Sequence, residues 1–295
     1  MINSLTVFTP TYNRSNTLHR LYGSLCSQTC KDFEWLVIDD GSTNNTQELI
    51  KSFIKENKLS IRYIYKENGG LHTGYNTAYA NIDSELCVCI DSDDFMPENA
   101  VELILNKWRK DGSDKYCGIV GLDFYADTTQ PIAGYFPDNL RECYYLDLYQ
   151  KKIHKGDAKY VMRTELMKKV APQVGFPGEK FFNPTYMFLQ VGDDYPLLVL
   201  NENLCYVDRS NNDRMSTNIY HQYKQSPRSF AKLRELEMGL KRSTLNNKLR
   251  SATHCVAESL LAKNKKFIIN SSHTGKILLS ILPGIVLYYY IYTRK

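Results

Sequence analysis

The first ~110 residues repeat one pattern: a short, continuous apolar run that stops on polar residues, then a stretch with helical spacing. Leu5–Thr9 is followed by Leu18, Leu21, Tyr22 and Leu25 at helical intervals, with Ser15 or Asn16 placed to cap. Glu34–Ile38 stops at Asp39-Asp40-Gly41-Ser42 and gives way to Leu49, Ile50, Phe53 and Ile54. Ile61–Tyr65 leads to Gly69-Gly70 and a helix through Asn76–Ala80. Leu86–Ile90 ends at Asp91 and precedes a helix from about Pro97 to Trp108, proline being tolerated in a first turn. Strands without polar alternation are buried on both faces, so the pattern predicts an α/β fold with a mostly parallel sheet and helices on both faces. Ligands of such sheets bind beyond the carboxyl ends of the strands. Every polar cluster just named falls there, and together they read as one site.

The second half is less regular. Strands are expected at Gly118–Leu122, Lys159–Met162, Leu197–Leu200 and Leu204–Val207, with a loop from Gly175 through Asn183-Pro184 towards Met187–Val191. Past about residue 215 strand signals stop and a helical, basic composition takes over, so the division expected is 1–210 for the α/β domain and 211–295 for a basic helical extension. Lys224–Lys266 carries eleven Lys/Arg against three Asp/Glu, an excess of eight; with a net charge of +5, the remainder stands at 5 − 8 = −3. Basic residues beside an apolar terminus suit an anionic membrane surface better than nucleic acid. The eight cysteines lack zinc-finger spacing, and no signal-peptide pattern precedes the first strand, so free thiols in a reducing compartment are expected.

The sharpest chemical feature is Asp91-Ser92-Asp93-Asp94 after a buried strand. Carboxylates packed so closely repel unless something positive sits among them. Mg²⁺ or Mn²⁺, held by one or two carboxylates and by substrate phosphates, meets that need; a solvated turn is the plain alternative. In Thr9-Pro10-Thr11-Tyr12-Asn13-Arg14, Tyr12 suits stacking on a base, while Arg14 either pairs with phosphate or faces solvent. Asp39 and Asp40 either accept a base or ribose hydrogen or simply close a strand. Asn68-Gly69-Gly70-Leu71-His72-Thr73-Gly74-Tyr75-Asn76 puts glycines before a helix, where backbone amides can approach a diphosphate. It matches neither the dinucleotide nor the Walker glycine spacing. His72 is as well suited to a structural hydrogen bond as to a phosphate.

Taken together, Thr9–Arg14, Gln28-Thr29, Phe33-Glu34, Val37–Ser42, Asn68-Gly69-Gly70 and Asp91–Asp94 resemble the inverting family-2 glycosyltransferases of the GT-A (nucleotide-diphospho-sugar transferase) fold, of the bacterial surface-polysaccharide type. The resemblance is dense over the first ~110 residues and thin to about 210, through Gly178-Glu179-Lys180-Phe181. It implies that Pro10, Tyr12 and Asp40 line a base pocket and that Asn68 and Asn76 lie along the donor groove. Arg14, Asp39, Gly70, His72 and Ser92 are read with them as nucleotide-sugar contacts. Asp93 would touch the metal directly, with Asp91 on the ribose or beside the metal; Asp94 could equally cap a helix. The donor would be a UDP-sugar or similar, the acceptor a saccharide or lipid-linked. A displacement of this kind needs a base for the acceptor proton: Glu179 is the first candidate and Asp193-Asp194 the second, although the Glu-Asp pair of many relatives is missing.

Ile277–Tyr292 is sixteen uncharged residues, short of the ~20 that span a bilayer, and Pro283-Gly284 interrupts it. An interfacial or half-inserted anchor is expected, with a packed helix or a true span as alternatives, which would place the protein in the cytoplasm on the inner face of the cell membrane. Two rivals stand beside the transferase. One is a catalytically inactive sugar-nucleotide-binding scaffold of the same fold; the other is a nucleotide-dependent oxidoreductase, against which the glycine spacing argues.

Overall fold

A computed structural model describes residues 3–209 and 219–294. In chain order the elements are β1 (Leu5–Thr11), α1 (Ser15–Cys26), β2 (Phe33–Asp39), α2 (Thr46–Glu56), β3 (Ile61–Tyr65), α3 (Leu71–Asn81), β4 (Leu86–Cys89), α4 (Ala100–Asp111) and β5 (Gly118–Tyr125). Then follow β6 (Glu142–Cys143), α5 (Tyr145–Gln150), β7 (Ala158–Arg163), α6 (Thr164–Val170), α7 (Thr185–Gly192) and β8 (Leu197–Val207). The rest is helical: α8 (Ile219–Gln225), α9 (Pro227–Gly239), α10 (Leu245–Leu261), α11 (Phe267–Asn270), α12 (Thr274–Leu279) and α13 (Ile281–Thr293).

The strands form one sheet in the order β3-β2-β1-β4-β7-β5-β8-β6. β1 to β4 are mutually parallel, β7 inserts antiparallel between β4 and β5, and β5 and β8 again run with β1. One edge of the sheet therefore collects the carboxyl ends of β1, β2, β3, β4, β5 and β8 together with the start of β7. Leu5, Trp35, Leu36, Val37 and Ile38 are fully buried, each large apolar side chain contributing about 1.5–3 kcal/mol relative to exposure. One core layer packs side chains of α1, α2 and α4 against the sheet, and the other those of α3, α5, α6 and α7, as the unalternated strands require.

Several boundaries differ from those expected. α1 begins at Ser15 itself, with Arg14 at the cap position and no side-chain cap bond. α4 begins at Ala100 rather than Pro97; the Gln28 amide donates to the Pro97 carbonyl and accepts from the Val101 N–H just beyond that start. The two late strands are one, β8, whose register against β5 is broken between Val120 and Leu122. The expected division at 210/211 falls on residues outside those described. Beyond it, Leu233 and Leu240 join the core under α3 and α7. The apolar terminus divides into α12 and α13, and Ile277, Gly284 and Ile291 are buried, Gly284 facing Val256 of α10. No described helix is long and apolar enough to cross a membrane. All eight cysteines are free.

Candidate functional site

At the ends of β2 and β3, two aspartates fix the loops. Asp39 is fully buried; its carboxylate accepts from the Ser42 N–H at 2.8 Å and the Tyr63 hydroxyl at 2.7 Å. Asp39 thereby ties the end of β2 to the turn that follows it and to β3. Asp40 accepts from the backbone N–H groups of Gly69 (2.9 Å) and Gly70 (2.8 Å), from the Asn68 amide at 3.2 Å and from the Lys66 ammonium. Its carboxylate thus frames the Asn68–Gly70 turn. Two glycines let the loops close. Gly41, at φ +84°, would bring a Cβ to 2.7 Å from the Asn68 nitrogen, and Gly70, at φ +92°, to 1.8 Å from the Lys180 carbonyl oxygen. The Asn68 side chain is itself engaged, donating to the Asp40 carbonyl and accepting from the Lys180 ammonium. Tyr12 stands 48% exposed at the rim of this turn region, beside Asn13, whose N–H donates to Ser42 Oγ and whose side-chain oxygen accepts from the Thr43 N–H. Pro10 and Arg14 are half-buried, and Pro10 packs against Gly74 of α3.

The acidic floor lies at the end of β4. Ser92 and Asp94 are buried, Asp93 half-buried, and Asp91 keeps an exposed face. The positive charge that these carboxylates demand is partly built in. Lys159 of β7 is nearly buried, its ammonium 3.6 Å from Asp123 Oδ1 of β5. Burial works against this charge, but the neighbouring acids, Asp123 foremost among them and Asp94 and Asp91 with it, hold it well above the usual lysine range. Burial pushes Asp94 up to about 8 and Asp123 up to about 6, with Lys159 pulling both down. Asp91 is likewise raised by its protein surroundings, against the pull of Lys159 and with a further push from Asp93 and Asp157. Asp94 accepts from the Asp208 N–H at 3.3 Å, so it ties the floor to the segment after β8 and caps no helix. Arg20 of α1 donates to the Asp93 carbonyl and pairs with Asp208 at 2.6 Å.

Does this floor fit a divalent ion? Among the described residues, no three His, Cys, Asp or Glu form a ready cage. The Asp93 carboxylate accepts no hydrogen bond among them, and Asp91 receives only the Cys89 thiol at 3.9 Å. Two such carboxylates suit a hard cation that takes its remaining oxygens from phosphates and water. The residues fit.

The other expected site residues serve the scaffold. The Asn76 amide donates to the Gln173 carbonyl (2.9 Å) and accepts from the Gln173 N–H (2.7 Å), pinning the loop before α7 to α3 rather than facing a groove. His72 is buried against Gly175 and Phe182, and burial lowers its pKa. Glu179 spends both oxygens at the start of α9, accepting from the Arg228 N–H and Nε (3.0 Å each) and from the Ser229 N–H (2.8 Å) and hydroxyl (2.6 Å). Asp193 accepts from the Lys241 and Arg242 N–H groups, and Asp194 pairs with Lys241. Both precede β8, whose first residue pairs with the first residue of β5. They therefore sit at the edge of the sheet opposite the acidic floor, which removes them as bases.

Sequence reasoning missed Arg20, Asp123, Asp157 and Lys159. A lysine inside the apolar run Ala158–Met162, directly after Gly156-Asp157, was the available signal: a charge within a buried strand requires partners.

The family model for Glycosyl transferase family 2 matches residues 6–165. The poly(ribitol-phosphate) β-N-acetylglucosaminyltransferase TarP of Staphylococcus aureus (strain N315) is 32% identical over 126 residues, 41% of this chain and 38% of that protein. The chain spans 11–38% of the lengths of the curated relatives it matches. Among solved structures, S. aureus TarS (1-349) in complex with UDP-GlcNAc superposes with a TM-score of 0.62 at 16% identity, covering 99% of this chain and 90% of that one. The mannosyltransferase PcManGT of Pyrobaculum calidifontis, in complex with GDP-Man and Mn²⁺, gives 0.54 at 14%, covering 98% and 88%. At these identities the superpositions establish the fold, an α/β sheet of the GT-A type carrying C-terminal helices.

Glu179→Gln removes the charge from two buried and two part-buried hydrogen bonds and is expected to destabilise the fold by about 1.5–3 kcal/mol, read as a lower urea midpoint at unchanged slope. An unchanged midpoint would show that Glu179 does not hold α9.

Proposed function

The chain belongs to glycosyl transferase family 2, and we propose that it moves a sugar from a nucleotide-diphosphate donor, UDP-linked first, to a saccharide or lipid-linked acceptor of bacterial surface polysaccharide, with inversion. The observation that carries this reading is the pair Asp91 and Asp93, with little or no polar engagement by protein, at the strand edge shared with the Asp40-framed turn. In this reading the exposed Tyr12 ring stacks on the base and Pro10 backs it. Arg14 and the Gly70 region face the phosphates, while Ser92 and Asp91 approach the ribose. Asp93 and Asp91 would hold Mn²⁺ or Mg²⁺, which when bound offsets the charge developing on the departing diphosphate. Lys159 and Arg20 hold the floor that presents these two carboxylates. The inactive-scaffold reading draws on one observation: Glu179 is consumed by α9, and Asp193 and Asp194 lie at the far edge.

The membrane reading rests on the outer face of α12 and α13. Leu279, Leu282, Val286 and Tyr289 form an exposed stripe at alternating spacings of three and four, with Tyr290 and Tyr292 beside it. Exposed Lys263, Lys265 and Lys266 flank the α10–α11 turn, and Arg294 ends the described helix. An apolar stripe with basic neighbours suits the surface of an anionic bilayer, on its cytoplasmic side.

Calorimetric titration with UDP and GDP should show UDP binding that requires Mn²⁺ or Mg²⁺ and weakens at least about tenfold in Asp93→Ala; no binding of either nucleotide under any metal condition would overturn the transferase reading. In sedimentation with phosphatidylserine vesicles, wild type should pellet and the Leu282→Asp/Val286→Asp variant should stay in solution. Equal pelleting of the two would remove the stripe as a membrane contact.

A further inference from the structure

We propose that Asp157 is the general base that takes the acceptor's proton, an assignment that rests on the transferase reading above. The base must be a carboxylate at the acidic edge with an oxygen to spare. Glu179, Asp193 and Asp194 fail that test, one by engagement and two by position. Asp39 and Asp40 are consumed by the loops they frame. Asp94 and Asp123 are buried around Lys159.

Asp157 passes it. It immediately precedes β7, whose first residue, Ala158, pairs with Leu122 near the carboxyl end of β5. Antiparallel β7 therefore delivers Asp157 to the edge where parallel β4, its direct neighbour in the sheet, delivers Asp91. Asp157 is exposed, and its carboxylate accepts no hydrogen bond among the described residues. Its backbone is nevertheless held: His154, buried against the Phe136 ring at 4.8 Å, places Nε2 3.1 Å from the Asp157 carbonyl oxygen, while its own N–H donates to Leu148. A free carboxylate on a fixed backbone is what proton transfer at a set point requires.

The neighbourhood also suits a sugar. Tyr149 is 45% exposed, and its hydroxyl is 2.9 Å from that of Tyr160, a residue of the strand that Asp157 precedes. Tyr145, Tyr160 and Phe188 back it with ring centroids 4.8–6.0 Å apart. The apolar face of a pyranose can lie on such a wall. There the acceptor oxygen bonds to the anomeric carbon while its proton passes to an Asp157 oxygen. The anomeric C–O bond to the diphosphate breaks, and its electron pair leaves with the nucleoside diphosphate. Water serves as acceptor by the same step.

UDP release from UDP-GlcNAc, UDP-GalNAc, UDP-glucose and UDP-galactose, with Mn²⁺ and water as acceptor, tests this. Asp157→Asn should lower kcat about 10²–10⁴-fold, keep UDP affinity within about twofold by calorimetry and leave Tm unchanged; Asp157→Glu should regain part of the rate. A kcat within about threefold of wild type overturns the assignment. So does a matching loss of UDP affinity, which would make Asp157 a donor contact. Wild type that binds UDP but releases none from any donor is a scaffold and also overturns it. Wild type that binds no nucleotide overturns the transferase reading, and the base with it.

Discussion

The ammonium of Lys159 is the interaction on which the acidic edge depends. Asp123 of β5 pairs with it at 3.6 Å, and the ammonium's charge pulls down the carboxyls of Asp94 and Asp91 at the end of β4. Burial already raises these carboxyls, and without a cation there low dielectric would push them further towards the protonated form. β7 supplies it, and only because that strand is inserted antiparallel between β4 and β5 does its first turn reach the carboxyl edge. One lysine does not balance so many carboxylates. The remaining negative charge is what an incoming cation and its phosphates would meet.

Around that floor, carboxylates divide by how they are engaged. Asp40 gathers the Gly69 and Gly70 amides, Glu179 gathers the first N–H groups of α9, and Asp193 gathers those after it. Charge-assisted bonds of this kind are short and strong, and they tie loops far apart in sequence into a rigid frame. Gly70 and Gly41 let those loops approach more closely than a side chain permits. Asp91, Asp93 and Asp157 are left facing outward with oxygens to give. The frame positions them and does not consume them.

Much of the frame was legible in the sequence. The unalternated runs Leu5–Thr9, Glu34–Ile38 and Leu86–Ile90 announced buried parallel strands, and the Asp91–Asp94 cluster announced a demand for positive charge. The partners were not legible, because they come from elements far away in the chain. Nothing local to Glu179 says that Ser229 will cap on it, and nothing local to Asn76 points to Gln173. Asp193-Asp194 looked as suitable as any carboxylate until the direction of β8 placed it at the opposite edge. Asp157 carried no motif; only the register of β7 brings it beside Asp91. Periodicity reports which face is buried, while strand order and direction decide what meets across the sheet.

In the proposed function, the edge formed by Asp91 and Asp93 over Lys159 receives a metal and a nucleotide diphosphate together. A crystal soaked with UDP and Mn²⁺, read by the anomalous signal of manganese, tests it most directly. One peak is expected in contact with the Asp93 carboxylate, bridged to the UDP phosphates, with the uracil beside Tyr12. Manganese elsewhere on the chain, or UDP bound away from the Asn68–Gly70 turn, would contradict it.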